Sequence, residues 1–384
     1  MNILYDNIIF ELQKSGGISL YWSELIKRHL VNPDINISFL ETSSNTTGNI
    51  FRQRLNLPHT RAGGNWTGLP QAIQRYLSVN QQPGTSVFHS SYYRNPRQNS
   101  INSRHIVTVH DFIYERYVTG IKKSIHSWQK YKALAKAEGI ICVSESTKAD
   151  LLKIYPEFRG KSIRVIYNGV SDVFRQVDIN ESRLLLQHSY QLCSPFVLYV
   201  GARTSSYKNF DLAVNAVSSD KNYNLVLVGG GNLNFSELAL LDRELKGRYL
   251  HLQYIPQTHL NMLYNVAHCL LYPSSYEGFG LPLIEAQSAG CPIIAGNNSS
   301  ISEVVKSKSC LLNKMSVDGI AGMIKALESS DFREQIINDG LLHSSRFSWD
   351  YCYEETMRFY NEVYEARIVG PVSNLYNKLP SMKS

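Results

Sequence analysis

The chain has 384 residues, 43% hydrophobic and 18% charged, with a net charge of +7. That length exceeds one ordinary core and suits two domains, and the composition excludes a disordered chain. No stretch approaches the roughly 18 uninterrupted apolar residues that a spanning helix needs. The N-terminus has no basic leader ahead of an apolar run, so it reads as a buried strand and not as a signal. The six cysteines are scattered without a C-x-x-C pair, which argues against a zinc site or disulfide framework and for free thiols in a reducing cytoplasm. Charge is uneven: residues 1–170 hold 21 Lys and Arg against 11 Asp and Glu, the remainder 18 against 21. An excess of that kind points to nucleic acid, an anionic membrane or a phosphorylated substrate, and a well-solvated surface explains it equally.

In chain order, the first half offers apolar runs for strands at 2–6, 36–41, 86–90, 105–110, 139–144 and 162–168. After the first, Gly16-Gly17 opens a helix, where unpaired backbone N–H groups and the dipole favour an anion; a tight turn explains the pair as well. His89 and His110-Asp111 follow later strands. An imidazole there faces the crevice beyond the strand ends and can bond a ligand hydroxyl, or be satisfied by local backbone. The segment 120–139 carries five lysines with Ile121, Ile125, Trp128 and Leu134. As a helix it suits an anionic membrane surface, or ordinary packing by its apolar stripe. Ser144 caps a helix that stops before Pro156.

Residues 171–194 break the rhythm and read as a linker. Strands resume at 196–202, 224–230, 249–255, 269–275, 291–297 and 309–313. Arg203 and Lys208, in the loop after the first of these, can grip a diphosphate without a metal. Gly229, Gly230 and Gly231 leave room for a ligand or form a turn. Twice-repeated alternation of strand and helix predicts an α/β chain of two doubly wound parallel sheets, in domains 1–170 and 195–346. An aromatic amphipathic helix follows at 347–366, expected to cross back to the N-terminal domain, and then a loose polar tail at 367–384.

The stretch 276–290, YEGFGLPLIEAQSAG, is the densest in signals. Pro282 suits the first turn of a helix and Gly290 the residue past its end, which predicts a helix over 281–289. Glu277 then precedes the helix and Glu285 lies within it. The two do not share one face, so no shared-proton dyad is implied. They suit two parts of one extended ligand, with the backbone amides of Gly278, Phe279, Gly280 and Leu281 as a phosphate seat between them.

This E-x7-E stretch resembles the signature of retaining glycosyltransferases of the GT-B fold, in glycosyltransferase family four. Gly16-Gly17, His110-Asp111, VIYNGV (165–170), VGARTSSYKN (200–209) and FSWD (347–350) occur in the family's order. The opening LYDNIIFELQKSGGISLYW is similar to enzymes that build bacterial O-antigen and related surface polysaccharides. The resemblance implies a nucleotide-sugar donor held by the C-terminal domain. Arg203 and Lys208 would bind its diphosphate, and Glu285 the ribose. Glu277 would hold a hydroxyl of the transferred sugar, and Gly278, Phe279, Gly280 and Leu281 would present their amides to sugar and phosphate. Gly16 and Gly17 would approach the diphosphate from the other domain, and His110 the anomeric centre. No D-x-D sequence occurs, so neither a metal nor another cofactor is expected. The implied acceptor is a lipid-linked or growing glycan at the cytoplasmic face of a membrane, and the implied sugar a hexose such as mannose. No nucleic-acid motif accompanies the charge. The alternatives are another GT-B enzyme, such as a sugar-nucleotide epimerase, or an inactive sugar-nucleotide-binding protein.

Overall fold

The computed structural model describes residues 1–41, 48–57, 60–62, 71–81, 83–97 and 102–366; the tail expected at 367–384 lies outside them. The N-terminal sheet comprises β1 (Asn2–Asp6), β2 (Asn36–Glu41), β3 (Thr60–Ala62), β4 (Val87–Ser90), β5 (Arg104–Val109), β6 (Gly139–Cys142) and β7 (Ser162–Val165), in the order β3-β2-β1-β4-β5-β6-β7. The C-terminal sheet comprises β8 (Phe196–Val200), β9 (Asn224–Val228), β10 (Tyr249–Leu252), β11 (Cys269–Tyr272), β12 (Ile293–Gly296) and β13 (Leu311–Leu312), in the order β10-β9-β8-β11-β12-β13. All the pairings are parallel. β4, β5, β6 and β11 are buried along their whole length, as strands covered by helices on both faces must be.

All twelve expected strands form, several with shorter ends. β5 stops at Val109, which leaves His110 outside the strand. β3 is not announced by the apolar runs, because three residues on a sheet edge show no period. The stretch 171–194, expected as a linker, contains the helix Ile179–Tyr190, capped by Asp178, whose carboxylate accepts from Glu181 N at 2.8 Å. Leu186 of that helix and Phe174 before it pack into the C-terminal core. Each sheet reverses its order beside its first strand, between β1 and β4 and between β8 and β11. Crevices open at such points, beyond the carboxyl ends of the strands.

The last helix, Trp349–Glu365, packs on the N-terminal domain. Trp349, Cys352, Phe359, Tyr360 and Val363 lie on one stripe and join the core built by β1, β4 and β5. The chain thus crosses between domains twice, and the crossings touch: Val170 N donates to Phe347 O at 3.2 Å. A Cβ on Gly169 would lie 2.1 Å from Trp349 N, so only glycine allows this approach. Tyr360 ties the helix to a buried polar chain. Its hydroxyl meets Tyr5 Oη at 3.1 Å and His89 Nδ1, Tyr5 Oη meets His29 Nε2 at 2.7 Å, and His89 Nε2 meets Thr108 Oγ1 at 2.9 Å. Tyr21 continues the chain to the site, with its hydroxyl 3.4 Å from Thr108 and its ring edge-on to His110, centroids 5.1 Å apart.

Burial keeps these imidazoles neutral. His29 is pushed down to about 3 and His89 also falls, both chiefly by desolvation. An unfolded histidine takes a proton below about 6.5. The stability contributed by neutral His29 is therefore complete above that pH and declines as pH falls toward 3. His29→Gln should narrow the loss of stability between pH 8 and pH 5 by up to about 2 kcal/mol, read from urea midpoints; an unchanged difference would contradict a buried neutral His29.

Candidate active site

The loop Tyr276–Leu281 runs from β11 to the helix Leu281–Ser288 and is held from both domains. On its own side, Ser299 Oγ accepts from Glu277 N at 2.9 Å, and Ser300 Oγ donates to the carbonyls of Glu277 and Phe279 at 2.9 and 3.1 Å. From the N-terminal domain, Thr147 Oγ1 donates to Gly278 O at 3.2 Å. Tyr276 Oη donates to Asp150 Oδ2 at 2.8 Å and accepts from Phe112 N at 3.1 Å, while Arg116 pairs with the same Asp150. A Cβ on Gly278 would lie 1.8 Å from the carbonyl oxygen of His110. Gly17 faces Leu281, whose Cδ1 would be 3.4 Å from a Cβ there.

The tertiary structure therefore brings Gly17, His110, Gly278 and Leu281 to one place. Gly16 sits one residue back, as the extended residue that precedes the helix Gly17–Leu30. Lys208 and Glu277 also meet: Nζ lies 2.5 Å from Oε1, and both side chains are largely buried. The N–H groups of Gly278, Phe279, Gly280 and Leu281 have no hydrogen-bond partner among the described residues. Gly280 adopts φ 97°, a left-handed turn that starts the helix at Leu281 with Pro282 in its first turn. Four successive unpaired amides at a helix start, beside an ammonium group, favour an anion.

Glu285 occupies a different environment. It is buried within the helix and accepts from Tyr264 Oη at 3.1 Å. Desolvation raises its carboxyl to about 7. The two acids of the motif are thus physically distinct, one ion-paired at the cleft and one buried beside a tyrosine. The Phe279 ring turns away from the cleft and packs against Tyr167 and Phe347 at the domain crossing, centroids 6.2 and 5.7 Å away.

His110 is partly exposed as a residue, but its Nε2 is buried and has no partner among the described residues. Burial, helped by the Lys130 charge, lowers it to about 3, so it is neutral near pH 7. Lys130 Nζ holds the turn beyond it by donating to Asp111 O at 2.9 Å and pairing with Glu115 at 2.8 Å. Asp111 Oδ1 then accepts from Ile113 N at 2.9 Å and starts the short helix Ile113–Tyr117.

Arg203 stands apart from this group. Its guanidinium donates to the carbonyls of Gly229 at 2.5 Å and Gly231 at 2.8 Å, and its Nε lies 3.3 Å from Glu237. In this conformation it braces the glycine loop, and it is Lys208 alone of the two that meets Glu277. Sequence reasoning missed Tyr264, Ser299, Ser300 and the Tyr276–Asp150–Arg116 group, because each acts through a partner distant in the chain. Position alone could have pointed to Tyr207, which adjoins Lys208 in the same loop and lines the cavity at His110.

Gly278→Ala should lower stability by about 1–3 kcal/mol, because backbone meets backbone and no rotamer relieves the clash. A lower Tm and faster amide exchange at residues 145–148 are expected; an unaltered Tm would mean that these loops are not packed together.

Residues 16–173 match the family described as Glycosyltransferase Family 4, and residues 190–342 that described as Glycosyl transferases group 1. The O-antigen chain mannosyltransferase B of Escherichia coli is 28% identical over 275 residues, 67% of this chain and 70% of that protein. The serotype-specific mannosyltransferase WbdA of Escherichia coli is 25% identical over 259 residues, 64% of this chain but 32% of its own length. Among solved structures, sucrose-phosphate synthase from Thermosynechococcus elongatus superposes with a TM-score of 0.73 at 19% identity, covering 95% of this chain and 100% of that one; that likeness establishes the shared fold. With family matches over both sheets and a two-domain Rossmann-like architecture, the chain belongs to the glycosyltransferases of family four, of GT-B fold, and resembles the enzymes of O-antigen synthesis.

Proposed function

We propose that the protein transfers a hexose, with mannose the favoured sugar, from a nucleotide-sugar donor to a lipid-linked or growing glycan during surface polysaccharide synthesis, retaining the anomeric configuration and needing no metal. The observation that carries this reading is the Lys208–Glu277 pair beside four unpartnered amides, with His110 packed against the same loop. Departure of a nucleoside diphosphate builds negative charge on phosphate oxygens, and a fixed ammonium and helix-start amides stabilise it. As Lys208 turns to the phosphate, Glu277 is released to accept from a sugar hydroxyl. Glu285, at the far end of the helix's first turns, holds the ribose. Gly16 and Gly17 let the N-terminal domain approach the diphosphate without a side chain intervening. Arg203 joins the phosphate only after leaving the 229–231 carbonyls, so its contribution requires loop movement. His110, neutral, lies beside the anomeric carbon. The choice of mannose and of polysaccharide is supported by the names of the relatives.

A panel of nucleotide sugars, with turnover and donor hydrolysis as read-outs, tests this. Glu277→Ala and His110→Ala should each reduce transfer by about 100-fold or more, and EDTA should leave the rate unchanged. Full activity in both variants would remove the site, and a rate abolished by EDTA and restored by a divalent ion would remove the metal-free mechanism. An absence of any turnover with donor bound would favour the inactive binding protein.

Peripheral membrane association belongs to the same proposal. No helix of the described residues is long and apolar enough to cross a membrane. In the helix Gly120–Lys136, Leu134 and Lys130 point into the fold, whereas Ile121, Ile125 and Trp128 are 78%, 42% and 51% exposed. They form a stripe at i, i+4 and i+7, with Lys122, Lys132 and Lys136 exposed around it. Apolar side chains among lysines suit the interface of an anionic bilayer. The chain should sediment with anionic vesicles at low salt, and Ile125→Ser with Trp128→Ser should abolish this; no sedimentation of the unaltered chain would end the membrane proposal.

A further inference from the structure

The cavity at His110, of about 330 Å³, is lined largely by the N-terminal domain. Arg75, Tyr92, Tyr114, His126 and Asp111 line it, and Tyr207 reaches it from the C-terminal domain. Tyr114 stacks on the buried ring of His126, with centroids 3.8 Å apart, which fixes the Tyr114 ring at the cavity. Arg75 is the cation of this cavity. Its Nη2 donates to Tyr92 Oη at 2.7 Å and its guanidinium carbon sits 4.5 Å from the Tyr92 ring centroid. Its backbone is fixed as well, since Gln129 Nε2 donates to Arg75 O at 2.5 Å.

Arg75 forms no ion pair with a carboxylate among the described residues, and its Nε is buried without a hydrogen-bond partner. Its neighbour Lys130 differs, being matched by Glu115 at 2.8 Å. Asp111 lines the same cavity but does not pair with Arg75. A half-buried guanidinium loses hydration without recovering it from a carboxylate, and its planar donors match the oxygens of a phosphate or carboxylate. In the transferase reading the donor's diphosphate is met by Lys208 and the amides of 278–281, none of which lines this cavity.

We infer that Arg75 recognises an anionic group, phosphate or carboxylate, carried by the acceptor next to the sugar that receives the hexose, with the Tyr92 and Tyr114 rings as platforms for the pyranose and Asp111 as acceptor from its hydroxyls. This rests on the transferase reading above and adds the chemical class of acceptor to it.

The test uses three probes with the full chain: decyl α-mannoside, decyl mannosyl phosphate and decyl glucuronide, with binding followed by ligand-observed NMR. At least one anionic probe should bind about ten-fold more tightly than the neutral one or better, and the tighter of the two identifies phosphate or carboxylate as the group. Arg75→Gln should bring the preference to within about two-fold and Arg75→Lys should keep part of it. Tyr92→Phe, which removes the hydroxyl that orients the guanidinium, should weaken the preference in a chain whose Arg75 is intact. Equal binding of all three probes by the unaltered chain overturns the inference, as does a preference that survives Arg75→Gln or that is lost in Lys208→Ala instead. Nucleotide-sugar turnover without anion preference would remove this inference alone. Anion preference lost with Arg75, in a protein that turns over no nucleotide sugar, would remove the transferase reading and leave the anion site.

Discussion

The close approach of Gly278 to the carbonyl of His110 is the constraint on which the site depends. No side chain fits between them. Two loops from different domains, each at the carboxyl end of a parallel strand, can therefore share one small volume. Asp150 and Phe112, through Tyr276, and Thr147 hold the loop from the N-terminal side, and Ser299 and Ser300 from its own side. This pinning uses the Glu277 N–H and the carbonyls of 277–279, and the N–H groups of 278–281 have no partner among the described residues, which suits an anionic ligand.

The electrostatics of the cleft follow from which cations are already committed. Lys130 is spent on Glu115 and the Asp111 carbonyl, and Arg203 on the 229–231 carbonyls and Glu237. Lys208 is paired with Glu277 at the cleft, and Arg75 has tyrosines but no carboxylate partner among the described residues. A charge held by backbone carbonyls shapes a loop; a charge held weakly is available to substrate. The last helix joins this arrangement from behind, through Tyr360, His89, Thr108 and Tyr21 to the ring of His110. Both domain crossings pass beside Gly169, and the ring of Phe279 packs against Tyr167 and Phe347 there, which couples the crossing to the site loop.

Much of this was legible in the linear chain, for local reasons. Parallel strands buried on both faces are written as uninterrupted apolar runs, and all but the three-residue β3 could be located from them. Pro282 and Gly290 bounded a helix that runs from Leu281 to Ser288. The helix at Ile179–Tyr190 was missed because the polar residues and caps of a surface helix resemble those of a linker. The basic helix at 120–136 was legible as amphipathic, but not which of its residues pointed inward: Leu134 and Lys130 do, Trp128 and Ile125 do not.

By itself the sequence determined the alternation of strand and helix, the loops that carry Lys208, His110 and Glu277, and the separation of Glu277 from Glu285 by a helix start. These depend on periodicity, turn chemistry and spacing, all of which act over a few residues. The tertiary structure alone decided that Lys208 meets Glu277, that Glu285 is buried against Tyr264, and that Arg203 braces a glycine loop while Arg75 meets no carboxylate among the described residues. A side chain's partner and hydration are set by groups tens to hundreds of residues away, so its readiness to bind a ligand becomes visible only once the chain has folded.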